Sequence, residues 1–144
     1  VWEVQLGSGA LRRLDDGADA FCFDPELAPD SSTVVWQGWS PPAMPWDAAA
    51  LVTCALADET CERWRPEGAA VQQPRFTSAG NTAMVHDASG WLNVYVDDKP
   101  VLAEPFEQAG PTWGMGQRSF ALSPDGRLVA LCRNEGGFGR LVVV

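Results

Sequence analysis

The sequence predicts an all-β fold, and three features of the chain support this prediction. Apolar and polar residues alternate over short segments, turn-forming residues separate these segments, and no segment shows a 3.6-residue helical period. Three turn segments also align with one another: Ala28-Pro29-Asp30-Ser31, Ser78-Ala79-Gly80-Asn81 and Ser123-Pro124-Asp125-Gly126. They begin 50 and 45 residues apart, a period typical of the four-stranded antiparallel blades of a β-propeller. The chain is therefore predicted to be a partial β-propeller with about three blades.

The strands can be assigned in order along this single predicted domain. Residues 1–17 are predicted to be the end of one blade, 18–67 a complete second blade, 68–109 a third, and 110–144 most of a fourth. Alternation and β-forming residues predict strands at 1–6 and 10–14; at 21–23, 33–39, 50–56 and near Trp64; at 75–77, 82–86, 91–96 and 101–103; and at 119–122, 128–133 and the C-terminal run.

The turn residues at the aligned segments have a mechanical explanation. Pro124 presets φ, Asp125 can bond its own backbone, and Gly126 accepts a left-handed conformation without a Cβ penalty. Asn81 is predicted to take the same left-handed position in the second segment. Ser31 is a poorer residue for this position, and a different turn is expected in the first segment. We therefore interpret these residues as parts of the scaffold.

Composition limits the classes of function. Hydrophobic residues make up 46% of the chain and charged residues 20%, so a packed core is expected. The net charge of -9 argues against a nucleic-acid partner, which would require a clustered basic surface. No apolar run approaches the length of a membrane span, so no membrane partner is expected.

The four cysteines are predicted to be structural. They include no CxxC pair and have one histidine for company, so neither a zinc site nor any other metal or cofactor is expected. Cys54 and Cys61 could bridge across a hairpin in an oxidising compartment. Free buried thiols are the favoured prediction for Cys22, Cys54 and Cys132, which lie in apolar strand contexts, and a cytoplasmic location is expected.

The two ends of the chain lie inside strand patterns. The sequence begins at Val1 without Met and stops in the run Leu141-Val142-Val143-Val144, so we expect a fragment of a longer chain. An open arc would leave two apolar sheet faces and unpaired strand edges exposed. In isolation it is expected to associate with itself or aggregate.

Loop length distinguishes the two ends of the predicted ring. Short polar turns lie at one end, whereas the loops at the other are longer and carry aromatic residues, Gly and Arg. Long loops on a rigid scaffold are common places for binding. The candidate substrate-binding residues at this end are Trp46, Asp47, Trp113, Arg118, Arg133 and Asn134. Alternatively, Trp46 and Trp113 only fill gaps between blades.

No catalytic residues are predicted within the chain. The Gly-x-Ser-x-Gly turn of α/β-hydrolases is absent, and the single histidine, His86, ends a predicted strand. Neighbouring carboxylates such as Asp97 and Asp98 lie in predicted turns. We do not expect this stretch to catalyse a reaction itself.

Six segments stand in order along nearly the whole chain: Trp36-Gln37-Gly38-Trp39, Met44-Pro45-Trp46-Asp47, Gln73-Pro74-Arg75-Phe76, Ser89-Gly90-Trp91-Leu92-Asn93-Val94-Tyr95, Gly110-Pro111-Thr112-Trp113 and Ser123-Pro124-Asp125-Gly126. This ordered set resembles the propeller of prolyl-oligopeptidase-family serine peptidases, particularly the acylaminoacyl-peptidase and dipeptidyl-aminopeptidase-like members. The second turn segment departs from the family's usual Ser-Pro-Asp-Gly.

The resemblance implies an accessory role, since the family's catalytic α/β-hydrolase domain has no counterpart here. Such a propeller caps the hydrolase domain, restricts access to small peptides and sometimes holds the end of the substrate. The implied partners are the hydrolase domain of the parent chain and a small peptide. Arg118 or Arg133 could bind a peptide carboxylate or carbonyl, because a guanidinium matches such groups well. The alternative is a stand-alone propeller module that binds proteins or ligands, with self-association completing the ring.

Overall fold

The computed structural model describes all residues 1–144 and contains thirteen strands and one helical turn. The strands are β1 (Trp2–Val4), β2 (Leu11–Arg13), β3 (Phe21–Leu27), β4 (Thr33–Trp39), β5 (Ala50–Ala55), β6 (Cys61–Trp64), β7 (Val71–Phe76), β8 (Thr82–His86), β9 (Asn93–Val96), β10 (Lys99–Pro100), β11 (Phe120–Leu122), β12 (Val129–Glu135) and β13 (Phe138–Val143). The helical turn α1 (Pro45–Ala48) follows β4. None of the helical structure is long and apolar enough to cross a membrane.

The strands form four antiparallel sheets in simple chain order. β1 and β2 make a two-stranded sheet, β3–β6 and β7–β10 make two four-stranded sheets, and β11–β13 make a three-stranded sheet. The sheets do not close into a ring, so the fold is a partial propeller with two complete blades, as the sequence predicts. The blade boundaries predicted at residues 17, 67 and 109 stay predictions.

The core consists of three apolar layers, each between two successive sheets. In β4, Trp36 faces the first sheet and Val35 faces the third, because successive side chains of a strand point to opposite faces. Between the first and second sheets lie Leu14, Val34, Trp36, Val52 and Cys54. Between the second and third lie Val35, Leu51, Val71, Met84 and Tyr95, and between the third and fourth lie Ala83, Val85, Val94, Phe120 and Leu131.

The turns after β3, β7 and β11 are equivalent, but one predicted alignment is shifted by a residue. Gly80, and not Asn81, occupies the left-handed position of the second turn, with φ of 85°. Its N–H bonds the carbonyl of Thr77, as Gly126 bonds Ser123. The equivalent turn therefore begins at Thr77 and not at Ser78, and it is one residue shorter because strand pairing resumes directly after the glycine, at Asn81. Ser31 does adopt the left-handed conformation, with φ of 60°.

The first strands of the second and third sheets, β3 and β7, each contain a bulge at a proline. The register shifts between Phe23 and Glu26 in β3, and between Gln72 and Arg75 in β7. The residue before each proline, Asp24 or Gln73, has φ near +54°. Proline cannot donate to the strand ladder, and a bulge accommodates it.

The favoured prediction of free buried thiols is wrong for Cys54, which is bonded, and for Cys132, which is free but exposed. Cys54 and Cys61 form a disulfide across the β5–β6 hairpin, while Cys22 and Cys132 are free. The two residues are directly opposite in the register, with Cα atoms 4.1 Å apart, as in the close type of antiparallel pair. Disulfides are rare in reducing compartments, so this pair weighs against the predicted cytoplasmic location, which stays a prediction.

Candidate functional site

The loop between β4 and β5 meets the long loop before β11 at one end of the sheets. The rings of Trp46 and Trp113 are in contact there, with centroids 4.8 Å apart and planes inclined by 54°. Beside them is an open cavity of about 420 Å³. We call this cavity the tryptophan groove; it is lined mainly by Phe21, Trp39, Pro41, Pro42, Trp46 and Trp113. The two predicted tryptophans therefore lie together on an accessible apolar surface.

The helical turn α1 holds Trp46. Pro45, its first residue, is buried. Proline is common at this position, because an N–H group there has no hydrogen-bond partner within the helix and its absence in proline costs nothing. The Asp47 carboxylate accepts a hydrogen bond of 3.0 Å from the Met44 N–H. Asp47 thus closes the turn on which Trp46 is mounted, and its observed contact is structural.

The second loop holds Trp113 through two amide side chains. Gln117 accepts a 3.1 Å hydrogen bond from the Trp113 N–H and donates to the Pro111 carbonyl at 3.0 Å. The neighbouring Thr112 hydroxyl is buried and donates to Gln72 of β7 at 2.7 Å. Trp113 as a residue remains 76% exposed. Trp113 is therefore an exposed ring on a fixed backbone.

Arg118 lines a different cavity. This second cavity, of about 230 Å³, lies along the first strands of three successive sheets, which face the axis in a propeller. We call it the axial cavity; its lining includes Glu26, Arg75, Phe76, Arg118, Phe120 and Leu122. It shares no lining residue with the tryptophan groove. Arg118 and the two tryptophans thus lie on separate surfaces.

A buried arginine joins two blades beside the axial cavity. Arg75 Nη2 lies 2.7 Å from Asp24 Oδ2, and its Nε lies 3.3 Å from Glu26 Oε2. Gln73 donates to Ser119 Oγ at 3.0 Å and accepts from the Ser119 N–H at 2.7 Å. Polar residues at the two bulges therefore connect three successive sheets.

This network was not predicted as a site. A signal was nonetheless present, because Asp24-Pro25-Glu26 begins four residues before the aligned segment at Ala28, and Gln73-Pro74-Arg75 begins five residues before the one at Ser78. Proline inside a predicted strand indicates a bulge, and bulges redirect side chains. The equivalence of the two prolines would have predicted polar side chains directed towards the neighbouring sheet.

Arg133 and Asn134 both lie in strand β12, which continues to Glu135 and so extends beyond the predicted strand end at residue 133. Gly136 and Gly137, with φ of 61° and 84°, form a two-residue turn that continues pairing up to Glu135. Arg133 contacts Glu104 at 2.5 Å and Glu135 at 3.0 Å. Hydrogen bonding to Glu104 raises the pKa of the Arg133 guanidinium. The Arg133 guanidinium is therefore already engaged by protein carboxylates.

Asn134 joins β12 to the preceding loop. Its N–H donates to the Glu107 carbonyl at 2.8 Å, and it lines a shallow third cavity that contains neither Arg118 nor the tryptophans. A ligand role for Arg133 or Asn134 stays a prediction.

The single histidine lies in the core between blades. His86 is buried, and its ring stacks on Tyr95 with centroids 3.4 Å apart. Burial lowers the pKa of the imidazole, and Asp98, 3.2 Å from Nε2, offsets part of this effect. No nucleophile lies beside it in a hydrogen bond, and no three acidic, Cys or His side chains come close enough to hold a metal ion. Its contacts are those of a packed core residue.

Comparison with known proteins places the chain among solved propellers. No protein-family model matches the sequence, and no curated protein matches it. Puromycin hydrolase matches 94% of the chain with a TM-score of 0.83 and 27% identity. A puromycin-hydrolyzing peptidase from Mycobacterium tuberculosis matches the same share with a TM-score of 0.81 and 27% identity. TolB from Acinetobacter baumannii matches 99% of the chain with a TM-score of 0.65 and 15% identity, which indicates the fold alone.

Fold and loops together define this chain as a partial β-propeller with a loop-rich end. The matches confirm the predicted resemblance: the chain is similar to the propeller of a prolyl-oligopeptidase-family serine peptidase over nearly its whole length. It spans 22% of the length of those hydrolases and 34% of that TolB chain.

Proposed function

We propose that the chain is the propeller segment of a prolyl-oligopeptidase-type serine peptidase, in which it caps an α/β-hydrolase domain and admits small peptides. The observation that carries this proposal is the likeness to puromycin hydrolase, with a TM-score of 0.83 over 94% of the chain. The tryptophan groove supports it further, since an apolar surface on a rigid scaffold suits the recognition of peptide side chains.

The chain would contribute binding and exclusion, while the hydrolase domain would supply the nucleophile. An apolar side chain that buries about 100 Å² against Trp46 and Trp113 would gain roughly 2.5 kcal/mol, or about 60-fold in affinity. The surrounding sheets would keep folded proteins away, because the blades are packed and cannot open locally. Peptide length would be selected by exclusion and side-chain type by the groove.

The first test is the coding sequence that surrounds these residues. We expect further blades and a downstream Gly-x-Ser-x-Gly turn followed by Asp and His, because an α/β-hydrolase domain presents its nucleophile on that turn. A parent chain that ends after additional blades would contradict the proposal and indicate a non-catalytic binding module instead.

The second test is the substitution Trp113→Ala in the complete peptidase. We expect kcat/KM for tripeptide substrates to fall about tenfold, because losing one apolar contact is worth roughly 1–3 kcal/mol. Hydrolysis of p-nitrophenyl acetate should not change, since this ester is too small to reach the groove. Steady-state kinetics on both substrates make the comparison.

Trp64→Ala is the matched control. Trp64 lies on β6, the outermost strand of its blade, and its removal should leave both activities unchanged. Equal losses for the peptide and the ester, or no loss for the peptide, would contradict a role of the tryptophan groove in selection.

A further inference from the structure

We infer that the axial cavity binds the free carboxylate of a peptide's C-terminal residue through Arg118. The inference deepens the proposed function, on which it rests for the identity of the ligand as a short peptide. The site is distinct from the tryptophan groove, because the two cavities have no lining residue in common.

Arg118 is a cation without a carboxylate partner in the chain. Six of the nine arginines lie within 4.0 Å of a carboxylate, whereas Arg118 does not, although the chain has a net charge of -9. Its guanidinium is exposed in the cavity wall. A guanidinium presents paired N–H donors that match a carboxylate. Arg118 is therefore a cation with its donors available.

Glu26, the acidic side chain of the cavity lining, contacts other groups and does not form an ion pair with Arg118. Glu26 Oε1 accepts from the Phe76 N–H at 3.2 Å, and Glu26 Oε2 lies 3.3 Å from Arg75 Nε. Arg75 also contacts Asp24 at 2.7 Å. The charge of Arg75 is thus balanced by Asp24 and Glu26, and Arg118 is the charged side chain of the lining that has no partner of opposite charge.

The walls of the axial cavity define the rest of the ligand. Phe76, Phe120 and Leu122 supply apolar surface beside the guanidinium. An ion pair gains strength next to apolar walls, where the effective dielectric constant is lower. The cavity volume of about 230 Å³ is below that of drug-sized sites and suits one terminal residue with an apolar side chain.

The test measures binding of two small probes to the complete parent chain, because the isolated arc is expected to associate with itself. N-acetyl-Ala-Phe with a free carboxylate is compared with its C-terminal amide by isothermal titration calorimetry at low ionic strength. We expect the acid to bind at least tenfold more tightly than the amide. We expect Arg118→Gln to abolish this preference and Arg118→Lys to retain part of it, because a lysine keeps the charge but loses the paired donors.

Arg127→Gln is the matched control, because Arg127 is also exposed and without a carboxylate partner but lies in the turn after β11. It should keep the full preference for the acid. The inference is overturned if neither probe binds, if both bind equally, if Arg118→Gln keeps the preference, or if Arg127→Gln loses it. Circular dichroism confirms that each variant is folded.

The proposed function and this inference can fail separately. A parent chain without a hydrolase motif would overturn the proposed function, while a preference for the acid that depends on Arg118 would still support the carboxylate site.

Discussion

At the scale of single residues, the arginines divide into structural and available ones. Arg75 is buried and contacts Asp24 and Glu26 of the preceding blade. Arg118 is exposed and has no carboxylate partner. Residue type and neighbouring letters do not distinguish the two, because the partners of Arg75 lie about fifty residues earlier in the chain.

We expect Arg75→Met to lower the free energy of unfolding by about 3 kcal/mol, because it leaves two partly buried carboxylates without their cation. Urea unfolding followed by tryptophan fluorescence measures the change. Arg127→Met removes an exposed, unpaired arginine, and its free energy of unfolding should stay within about 0.5 kcal/mol of that of the unsubstituted chain. Equal effects of the two substitutions would show that Arg75 does not join the blades.

At the scale of elements, the strands follow from the sequence better than their interruptions do. A run of β-forming residues predicted 33–39 and the repeat of the strand pattern predicted 82–86, which are the observed β4 and β8. The bulges at Pro25 and Pro74 were missed, because a register shift depends on pairing with the next strand and not on local alternation. The tight Gly136-Gly137 turn was predicted as a loop, which removed the end of β12 from the prediction.

The same limit applies to the candidate site. The sequence predicted that Trp46 and Trp113 lie at the same end of the ring, but not that their rings are in contact. Loop length indicates the end at which a loop lies, but it does not determine the distance between two side chains. Arg118 follows Trp113 by five residues, yet its side chain enters the axial cavity. Separating these two surfaces required the course of the loop, which its polar and glycine residues do not determine.

The turn after β3 gives a prediction at this scale. Ser31 has φ of 60°, and its side chain makes no hydrogen bond that substitution would remove. Ser31→Gly should stabilise the fold by about 0.5 kcal/mol, since relief of roughly 1–2 kcal/mol of backbone strain exceeds the extra entropy of the unfolded chain. Thermal and urea unfolding measure the change.

Gly80→Ala is the reciprocal variant. An added Cβ would meet nothing within 4 Å, so only the φ of 85° opposes it. We expect it to destabilise the fold by about 1 kcal/mol. Changes of the same sign in the two variants would contradict the equivalence of the turns.

At the scale of the whole molecule, the arc has two uncovered apolar faces. The first sheet exposes Trp2, Val4 and Leu11, and the last exposes Leu141 and Val143. In the third sheet the corresponding face is covered, because Ala83 and Val85 of β8 are buried there against the fourth sheet. Exposed patches of this kind are typical of surfaces that contact another protein segment.

We expect the isolated chain to associate at micromolar concentration, and Leu141→Glu to shift it towards monomer, because the charge resists burial at the end face. Sedimentation velocity measures the distribution of species. Met115→Glu is the control, since Met115 is 83% exposed and Leu141 78%, but Met115 lies in a loop. Association through the end faces would be contradicted if the unsubstituted chain is monomeric, or if both substitutions have equal effects.

Because each apolar layer joins only two adjacent sheets, the cooperativity of folding is short-ranged along the arc. Such architectures gain stability by increments, one interface per added unit, as in linear repeat proteins. Duplication or loss of a whole blade would change the number of these increments without disturbing those already formed. The architecture can therefore grow or shrink in evolution by a step of about 45–50 residues, while any shorter insertion has to be absorbed by a loop.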